Sequence, residues 1–323
     1  MDATATTDRD PKNWKLLENR PITAGSMRVV SVANQKGGVA KTTTSVNLAA
    51  ALALRGHRVL VVDVDPQGNA STGLGVERRR DRPSTYDVLV RGLPLAEARV
   101  ATAIPSLWCV PASVDLAGAE IELVSALERE RKLREALAPE AGSYDLVFLD
   151  CPPSLGLLTV NALAAAEDLI VPVQCEYYAL EGLGQLLETA ERVRRSLNPA
   201  LRIAGMLLTM YDARTKLSSQ VASEVRGHFG ELVYRTVIPR SVRLSEAPSF
   251  GEPVVTLDPT ARGSIAHRLL AAEVEARYGM SRTSPAPPRP PPVAEPREPS
   301  YGTTTTVPEL DRAWPPPPPW AAA

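Results

Sequence analysis

The sequence contains little cysteine and almost no net charge, and both features narrow its functional class. Its 323 residues include only three cysteines, Cys109, Cys151 and Cys175, which lie far apart and lack Cys-x-x-Cys spacing. This pattern argues against a disulfide framework or a zinc site and predicts buried free thiols. The formal net charge of −1 gives no global attraction for nucleic acid. A DNA-binding surface would therefore have to arise from local clustering of basic residues.

Long apolar runs are also missing. No stretch approaches the roughly 18 consecutive apolar residues of a membrane-spanning helix. The first ten residues are polar and acidic, unlike a signal peptide. Hydrophobic residues make up 44% of the chain and charged residues 23%, which is typical of a globular protein. The sequence therefore predicts a cytoplasmic protein.

Composition divides the chain into three parts. Residues 1–26 are polar and aperiodic, which predicts a flexible leader. From residue 281 to residue 323 the chain holds 14 of its 30 prolines and a run of threonines. Such a segment cannot bury enough apolar surface to fold alone and favours extended, disordered chain. Residues 27–280 are therefore the predicted folded domain.

Within that domain, short apolar runs alternate with helical patterns. The runs predict strands at 28–33, 58–62, 107–110, 144–149, 168–173, 203–208 and 232–237. The clearest helical patterns cover 42–54, 120–137, 180–197 and 218–229. Near-continuous apolar strands are typical of sheets buried on both faces. The alternation predicts an α/β fold, with a mainly parallel twisted sheet and helices on both faces. In such folds, ligands bind at the carboxyl ends of the strands.

The loop after the first strand has the features of a phosphate-binding loop. It runs into a helix and reads Lys36, Gly37, Gly38, Val39, Ala40, Lys41, Thr42 and Thr43. Small residues let backbone N–H groups approach phosphate oxygens, and the helix N-terminus adds a positive dipole end. Lys41 is spaced to reach the β- and γ-phosphates, and the Thr42 hydroxyl to bind Mg²⁺. Ala40 stands where the general pattern has glycine, and its methyl group fits if φ there is negative.

Two further loops place acidic residues after predicted strands. Asp63 and Asp65 follow the second strand and point the same way, because side chains alternate along a strand. One of them could orient the attacking water while the other organises Mg²⁺ or the loop. Asp150 ends a later apolar strand, as in a Walker B motif, in which the carboxylate holds Mg²⁺.

Together these motifs resemble those of the ParA/MinD family. The lysine-containing loop resembles the family's deviant Walker A motif, and the sequence from Asp63 to Asn69 resembles its switch I motif. The resemblance to chromosomal ParA proteins extends through 116–123, 172–182 and 237–248, and covers about residues 28–278. It implies that Lys36 reaches the partner's nucleotide across an ATP-dependent homodimer. It also implies that Asp65 is the catalytic aspartate, and that a ParB-type centromere-binding protein stimulates hydrolysis.

The nucleotide base and the DNA contacts are predicted from a missing motif, from the family resemblance and from local charge. The chain has no Asn-Lys-x-Asp motif for guanine, so ATP is the expected nucleotide. The resemblance implies that Thr209, Met210, Pro239 and Arg240 border the adenine. Between residues 192 and 243 there are ten Lys or Arg and three Asp or Glu, which gives a local basic excess. Arg214 and Arg243 match family arginines that bind DNA non-specifically, which implies association with the nucleoid.

Three alternatives remain open. A MinD-like positioning ATPase shares the loops, but its amphipathic basic C-terminal helix has no counterpart in the proline-rich end, which carries four acidic and four basic residues from residue 281. An iron–sulfur carrier needs paired cysteines at a dimer interface, and this chain has no such pair in its sequence. A ligase acting on a small carboxylic acid would need that substrate for ATP turnover.

Overall fold

A computed structural model describes residues 26–79, 81–176 and 183–280. The predicted leader up to residue 25, the proline-rich tail from 281 and residues 177–182 of one family-like motif lie outside these ranges. The division of the chain at residues 26 and 280 thus remains a prediction.

The described residues form one seven-stranded sheet. Its spatial order is β3-β4-β2-β5-β1-β6-β7. All neighbours pair in parallel except β3, which is antiparallel to β4. The strands are β1 Arg28–Val32, β2 Val59–Asp63, β3 Val100–Ala101, β4 Leu107–Val110, β5 Leu146–Asp150, β6 Asp168–Gln174 and β7 Arg202–Thr209.

Helices connect the strands. In the first half they are α1 Lys41–Leu54, α2 Asn69–Gly73, α3 Thr85–Arg91, α4 Leu95–Ala98, α5 Leu116–Glu122 and α6 Lys132–Leu137. In the second half they are α7 Leu157–Ala165, α8 Leu183–Ser196, α9 Lys216–Phe229, α10 Val242–Glu246, α11 Val254–Leu257 and α12 Arg262–Tyr278.

The sheet is buried on both faces, as its apolar strands predict. Alternate residues of β1, such as Val29 and Val30, belong to two different hydrophobic clusters. One cluster joins the sheet to α5, α6, α7 and α8, and the other joins it to α1, α11 and α12. The predicted α/β class with helices on both faces is therefore confirmed.

Two predicted elements are wrong. Residues 232–237 do not form a strand: Val233 makes a single bridge to Met206, whose carbonyl accepts the Tyr234 N–H at 2.9 Å, and the two N–H groups that follow do not donate to β7. The N–H groups of Arg235 and Thr236 donate to the carboxylate of Glu273 at 2.7 and 2.9 Å. A side chain from α12 thus replaces the neighbouring strand as hydrogen-bond acceptor.

The predicted helix at 120–137 is broken into two. α5 ends at Glu122 in a short 3₁₀ turn, Leu123–Ser125, and α6 begins only at Lys132. Between them Glu128 has φ of 51°, which interrupts any helix. The two-residue strand β3 was not predicted, because so short an edge element leaves no periodic signal. Residues 180–182 of the predicted helix at 180–197 lie outside the described ranges.

The three cysteines are free and buried, as predicted. Cys109 lies in β4, and Cys151 and Cys175 directly follow β5 and β6. In the part of the chain that the structure describes, no helix is both long and apolar enough to cross a membrane.

A buried carboxylate ties the start of β6 to its neighbours. Asp168 has no exposed surface, and it accepts a hydrogen bond from Nε of Arg202 on β7. Nε of Arg28 on β1 lies 3.6 Å from its Oδ2 atom. Both arginine side chains are only 12% exposed. Removal of Asp168 would leave two largely buried cations without this partner.

We therefore predict that Asp168→Ala lowers the free energy of unfolding by about 3–5 kcal/mol, the range for breaking a buried ion pair. Asp81→Ala is the matched control, since Asp81 and Arg79 form a pair that is 71% and 53% exposed. Its effect should stay below about 0.5 kcal/mol. Urea unfolding of both variants measures the difference. Equal, small losses would contradict a structural role for Asp168.

Candidate nucleotide-binding site

The three motif loops meet at the carboxyl edge of the sheet because β2, β5 and β1 are adjacent. Asp150 at the end of β5 is in register with Asp63 on one side and with Val32 on the other. The loop that begins after β1 and the acidic residues after β2 therefore flank Asp150. The structure brings together the residues that the sequence predicted from separate motifs.

The loop between β1 and α1 presents a run of backbone N–H groups. From Gly37 to Thr43, none of these groups donates a hydrogen bond to a protein atom in the described residues. The first intrahelical bond is that from Thr44 N to the Ala40 carbonyl, at 2.9 Å. Such a run of unused donors at a helix N-terminus is a binding site for anionic oxygens.

Ala40 has φ of 70° and ψ of 35°, the left-handed conformation. The condition under which the methyl group would fit without strain, a negative φ, is therefore not met. This conformation costs an L-residue about 1–2 kcal/mol because Cβ crowds the following carbonyl oxygen. Two donors from Thr44 hold the Ala40 carbonyl: its N–H at 2.9 Å and its hydroxyl at 2.7 Å. The loop geometry is thus the one that glycine normally provides, imposed on alanine by its surroundings.

The loop is also fixed at its start and in its middle by other strands of the sheet. Asn34, which is buried, donates from Nδ2 to the Pro172 carbonyl of β6 at 2.7 Å and accepts from Lys36 N at 3.0 Å. In the middle of the loop, the Val39 carbonyl accepts the hydroxyl of Thr209 on β7 at 3.0 Å. The phosphate loop therefore lies against β6 and β7 as well as β1.

Asp150 is bound to the first turn of α1. Its two carboxylate oxygens accept hydrogen bonds from the hydroxyls of Thr42 and Ser45, each at 2.7 Å. Full burial, together with the nearby charge of Asp63, raises the pKa of Asp150 to about 7. The pair of Thr42 and Asp150 is a hydroxyl and a carboxylate oxygen in contact, which is the donor chemistry that Mg²⁺ takes.

Asp63 and Asp65 have different surroundings. Asp63 is fully buried and accepts hydrogen bonds from the N–H of Ser71 at 2.8 Å, from its hydroxyl at 2.6 Å and from Asp65 N at 3.3 Å. Burial raises its pKa to about 6. In Asp65, Oδ1 accepts from Gln67 N at 2.9 Å, whereas Oδ2 accepts no hydrogen bond from the described residues. Asp63 therefore organises the loop and α2, and Asp65 keeps one oxygen available.

Lys41 is the cation among these carboxylates. Lys41 is 7% exposed, and its ammonium donates to the Lys36 carbonyl at 3.1 Å. Burial lowers the pKa of Lys41, while the charge of Asp150 opposes that shift. Lys36 is half-buried, and its ammonium donates to no acceptor within the described ranges.

Comparison with known proteins agrees with this geometry. Residues 27–203 match an AAA domain family. The chromosome partitioning protein ParA of Caulobacter vibrioides is 55% identical over 258 residues, which cover 79% of this chain and 97% of that protein. The chain belongs to the ParA family of P-loop ATPases. The resemblance predicted from the sequence motifs is confirmed.

Two solved structures share the fold of this ParA-family chain. A cobyrinic acid a,c-diamide synthase from Mycobacterium smegmatis, with bound ATP analogue and magnesium, is 41% identical. It has a TM-score of 0.69, and the match covers 78% of this chain and 96% of that one. The septum site-determining protein MinD from Pyrococcus horikoshii, complexed with Mg-ADP, is 28% identical. Its TM-score is 0.63, and the match covers 79% and 98% of the two chains.

The predicted adenine-border segments lie side by side in this ParA-family fold. Tyr211 N donates to the Ile238 carbonyl at 3.1 Å, and Arg240 N donates to the Tyr211 carbonyl at 3.0 Å. Residues 209–210 and 239–240 are thereby held together at the end of β7. The Thr209 side chain is fully buried under the phosphate loop, and the exposed guanidinium of Arg240 pairs with Glu176. Their contact with adenine remains a prediction.

The two predicted DNA-binding arginines are exposed and ion-paired. Arg214 is 86% exposed and binds the Asp212 carboxylate at 2.7 Å. Arg243 is 58% exposed and lies 3.1 Å from Glu246 and 3.5 Å from Asp258. They stand on different elements, Arg214 just before α9 and Arg243 within α10.

Motif analysis missed four site residues: Asn34, Ser45, Ser71 and Thr209 in its positioning role. Ser45 had a usable signal, because it follows Thr42 by three positions on a helix and so shares its face. The hydrogen bonds of Asn34, Ser71 and Thr209 depend on strand order or on the packing of α2, which no local pattern specifies.

Proposed function

We propose that this chain binds ATP with Mg²⁺, dimerises around the nucleotide, binds DNA non-specifically and hydrolyses ATP when a ParB-type partner stimulates it. The observation that carries this proposal is the run of unused backbone N–H groups from Gly37 to Thr43, with Lys41 inside it and Asp65 and Asp150 beside it. The proposal is supported by the relatives named as partitioning proteins. It is also supported by the neighbour solved with an ATP analogue and magnesium.

The residues fit a magnesium–nucleotide complex. Mg²⁺ in proteins is bound through one or two carboxylates together with substrate phosphates. In the described ranges no group of three or more His, Cys, Asp or Glu side chains is suited to a metal on its own, so phosphate oxygens are needed to complete the site. Thr42, Asp150 and Asp65 would hold the ion, directly or through water. Bound Mg²⁺ neutralises charge that develops on the phosphates.

In this proposal, the protein promotes hydrolysis mainly by positioning the phosphates and the attacking water. The N–H groups of the loop and the Lys41 ammonium hold the β- and γ-phosphates, and Lys41 leaves its Lys36 carbonyl acceptor to do so. Oδ2 of Asp65 orients the attacking water, since Oδ1 is already bonded to Gln67 N. The charge-stabilising side chains assigned here are lysines rather than an arginine finger. We therefore expect a slow intrinsic rate, because an arginine finger accelerates phosphoryl transfer by about 10³–10⁵.

Dimerisation is assigned to Lys36. Its backbone is fixed by Asn34, while its ammonium has no acceptor in the described part of the chain. A cation beside the phosphate loop that finds no acceptor among the described residues is suited to a phosphate bound in a second subunit. The nucleotide would then lie between two facing copies.

DNA binding is assigned to Arg214 and Arg243. Both are exposed, and their ion pairs are of the surface type, which are worth about 0–1 kcal/mol and readily exchanged. Contacts to phosphates carry no sequence preference and weaken with salt. A dimer doubles the number of contacts and raises the effective concentration of the second half, so that ATP controls DNA affinity. Association with the nucleoid and release after hydrolysis follow from this switch.

Two other functions share the ATP site. A MinD-like positioning role is less favoured, because the identity with MinD is 28% against 55% with ParA. The neighbour named as a diamide synthase raises a ligase function, in which ATP activates a carboxylic acid. Steady-state ATP hydrolysis decides between them. We expect stimulation by DNA with a ParB-type partner, whereas a ligase requires a carboxylic acid substrate and ignores DNA.

The first prediction concerns Lys41. Lys41→Ala should abolish measurable ATP binding, because it removes the buried cation from the phosphate loop. Lys132→Ala is the control, since Lys132 forms a surface pair with Glu135 at 3.5 Å. Isothermal titration with Mg-ATP measures both. Wild-type affinity in Lys41→Ala would remove the central claim.

The second concerns the dimer. Asp65→Ala should bind ATP and remain dimeric, because water positioning is lost while the phosphate contacts stay. Adding Lys36→Ala to that variant should return it to a monomer with ATP still bound. Light scattering with and without ATP measures the mass. An Asp65→Ala protein that binds ATP but stays monomeric would contradict the proposed sandwich.

The third concerns DNA. Arg214→Ala and Arg243→Ala should each weaken DNA binding and flatten its salt dependence by about one unit of slope per lost phosphate contact. ATP-dependent dimerisation should persist. Arg79→Ala, which removes another exposed, ion-paired arginine, is the matched control. Salt titrations of DNA affinity with ATP present measure the slopes. Slopes equal to wild type would leave the DNA hypothesis without these residues.

A further inference from the structure

The peptide between Val39 and Ala40 is held from beneath the phosphate loop. The Val39 carbonyl accepts the Thr209 hydroxyl at 3.0 Å, across 170 positions of sequence. Thr209 has no exposed surface, and Val39 is 1% exposed, so water does not compete for this bond. A buried carbonyl that loses its donor keeps the full desolvation penalty.

Thr209 is itself a rigid support. It is the last residue of β7, where its carbonyl accepts the N–H of Cys175 at 3.0 Å after pairing with Gln174 in β6. A β-branched side chain has restricted χ1, so the direction of its hydroxyl follows from the strand backbone. The carboxyl end of β7 therefore fixes one atom of the phosphate loop.

Fixing the Val39 carbonyl also fixes the next N–H. The chain has no cis peptide among its described residues, and in a trans peptide the C=O and N–H bonds point in opposite directions. With the Val39 oxygen turned toward buried Thr209, the Ala40 N–H points away from β7. It is one of the N–H groups that donate to no protein atom in the described ranges.

The same peptide carries the strained residue of the loop. Ala40 adopts φ of 70°, which glycine reaches freely and alanine does not. The Ala40 carbonyl is held by Thr44, and the preceding carbonyl by Thr209. Peptides on both sides of Ala40 are thus anchored, and with both anchors in place the residue has no route to a relaxed φ.

We propose that Thr209 is a positioning residue for nucleotide binding, whose hydroxyl keeps Ala40 in the left-handed conformation and so keeps the Ala40 N–H directed at the phosphates. This inference rests on the proposed ATP-binding function and assigns Thr209 a role through the loop rather than through adenine. It follows from the substitution of alanine for the glycine of the motif, because a glycine would hold the conformation with less help.

Variants at Thr209 separate the hydroxyl from its methyl group. Thr209→Val keeps the shape and removes the donor, and we expect the Kd of the full-length protein for a fluorescent ATP analogue with Mg²⁺ to rise about tenfold, equivalent to about 1.4 kcal/mol. Thr209→Ser keeps the donor and should stay within about twofold of wild type. Thr209→Ala differs from Thr209→Ser by one oxygen, so this pair carries the comparison if Thr209→Val does not fold.

A double-mutant cycle with Ala40→Gly tests whether Thr209 affects nucleotide affinity through the conformation of residue 40. A role that is only structural, or a direct contact with adenine, makes the loss at Thr209 independent of residue 40. The positioning role predicts that Thr209→Val raises the Kd clearly less in the Ala40→Gly background than in the wild-type background. Glycine adopts the left-handed loop conformation without the hydrogen bond from Thr209.

The outcomes discriminate between the hypotheses. Three results together support the inference: Thr209→Val loses about tenfold in affinity, Thr209→Ser retains the wild-type affinity, and Thr209→Val loses less affinity in the Ala40→Gly background. Equal losses in both backgrounds, or an affinity of Thr209→Ala equal to that of Thr209→Ser, overturn it while ATP binding by the wild type stands. A wild-type protein that binds no ATP overturns the proposed function and this inference with it.

Discussion

The row of backbone N–H groups from Gly37 to Thr43 needs acceptors that the described residues do not provide, and the surrounding structure keeps that row oriented. Asn34 fixes its start to β6, Thr209 fixes its middle to β7, and Asp150 of β5 holds the first turn of α1 through Thr42 and Ser45. Three neighbouring strands thus anchor the loop that follows a fourth. Such a site is preorganised, because the donors are aligned before any phosphate arrives.

The same edge of the sheet collects negative charge. Asp63, Asp65 and Asp150 are all buried, and desolvation raises the pKa of Asp63 and of Asp150. Lys41 is the cation among them, and burial lowers its pKa. Like charges in a desolvated site stabilise a bound divalent cation, which restores the balance. The two carboxylates differ in their hydrogen bonds: the oxygens of Asp63 accept from Ser71 and from Asp65 N, whereas Oδ2 of Asp65 accepts none from the described residues.

The sequence predicted the structure correctly where the conformation depends on a local pattern of residues. Apolar runs predicted six of the strands to within a few residues, and glycine, lysine and aspartate spacing predicted the three loops at the sheet edge. Predictions from the sequence failed where a side chain distant in sequence determines the local hydrogen bonding. Glu273 of α12 takes the N–H groups of Arg235 and Thr236 that a strand would have used. The left-handed φ of Ala40 was likewise unpredictable, since alanine prefers other conformations and only packing from β7 and Thr44 imposes this one.

The charged surface explains why DNA affinity would need a dimer. Arg214 and Arg243 each face a carboxylate of their own chain, so binding a DNA phosphate exchanges one anion for another. The gain per exchange is small, because exposed pairs are worth about 0–1 kcal/mol. The net charge of −1 adds no long-range attraction. In the proposed function, one copy with few such contacts would therefore bind DNA weakly, whereas in a dimer the second copy would bind at a high effective concentration. The proposed nucleotide control over dimerisation would then be sufficient to switch DNA binding, without any change in the arginines themselves.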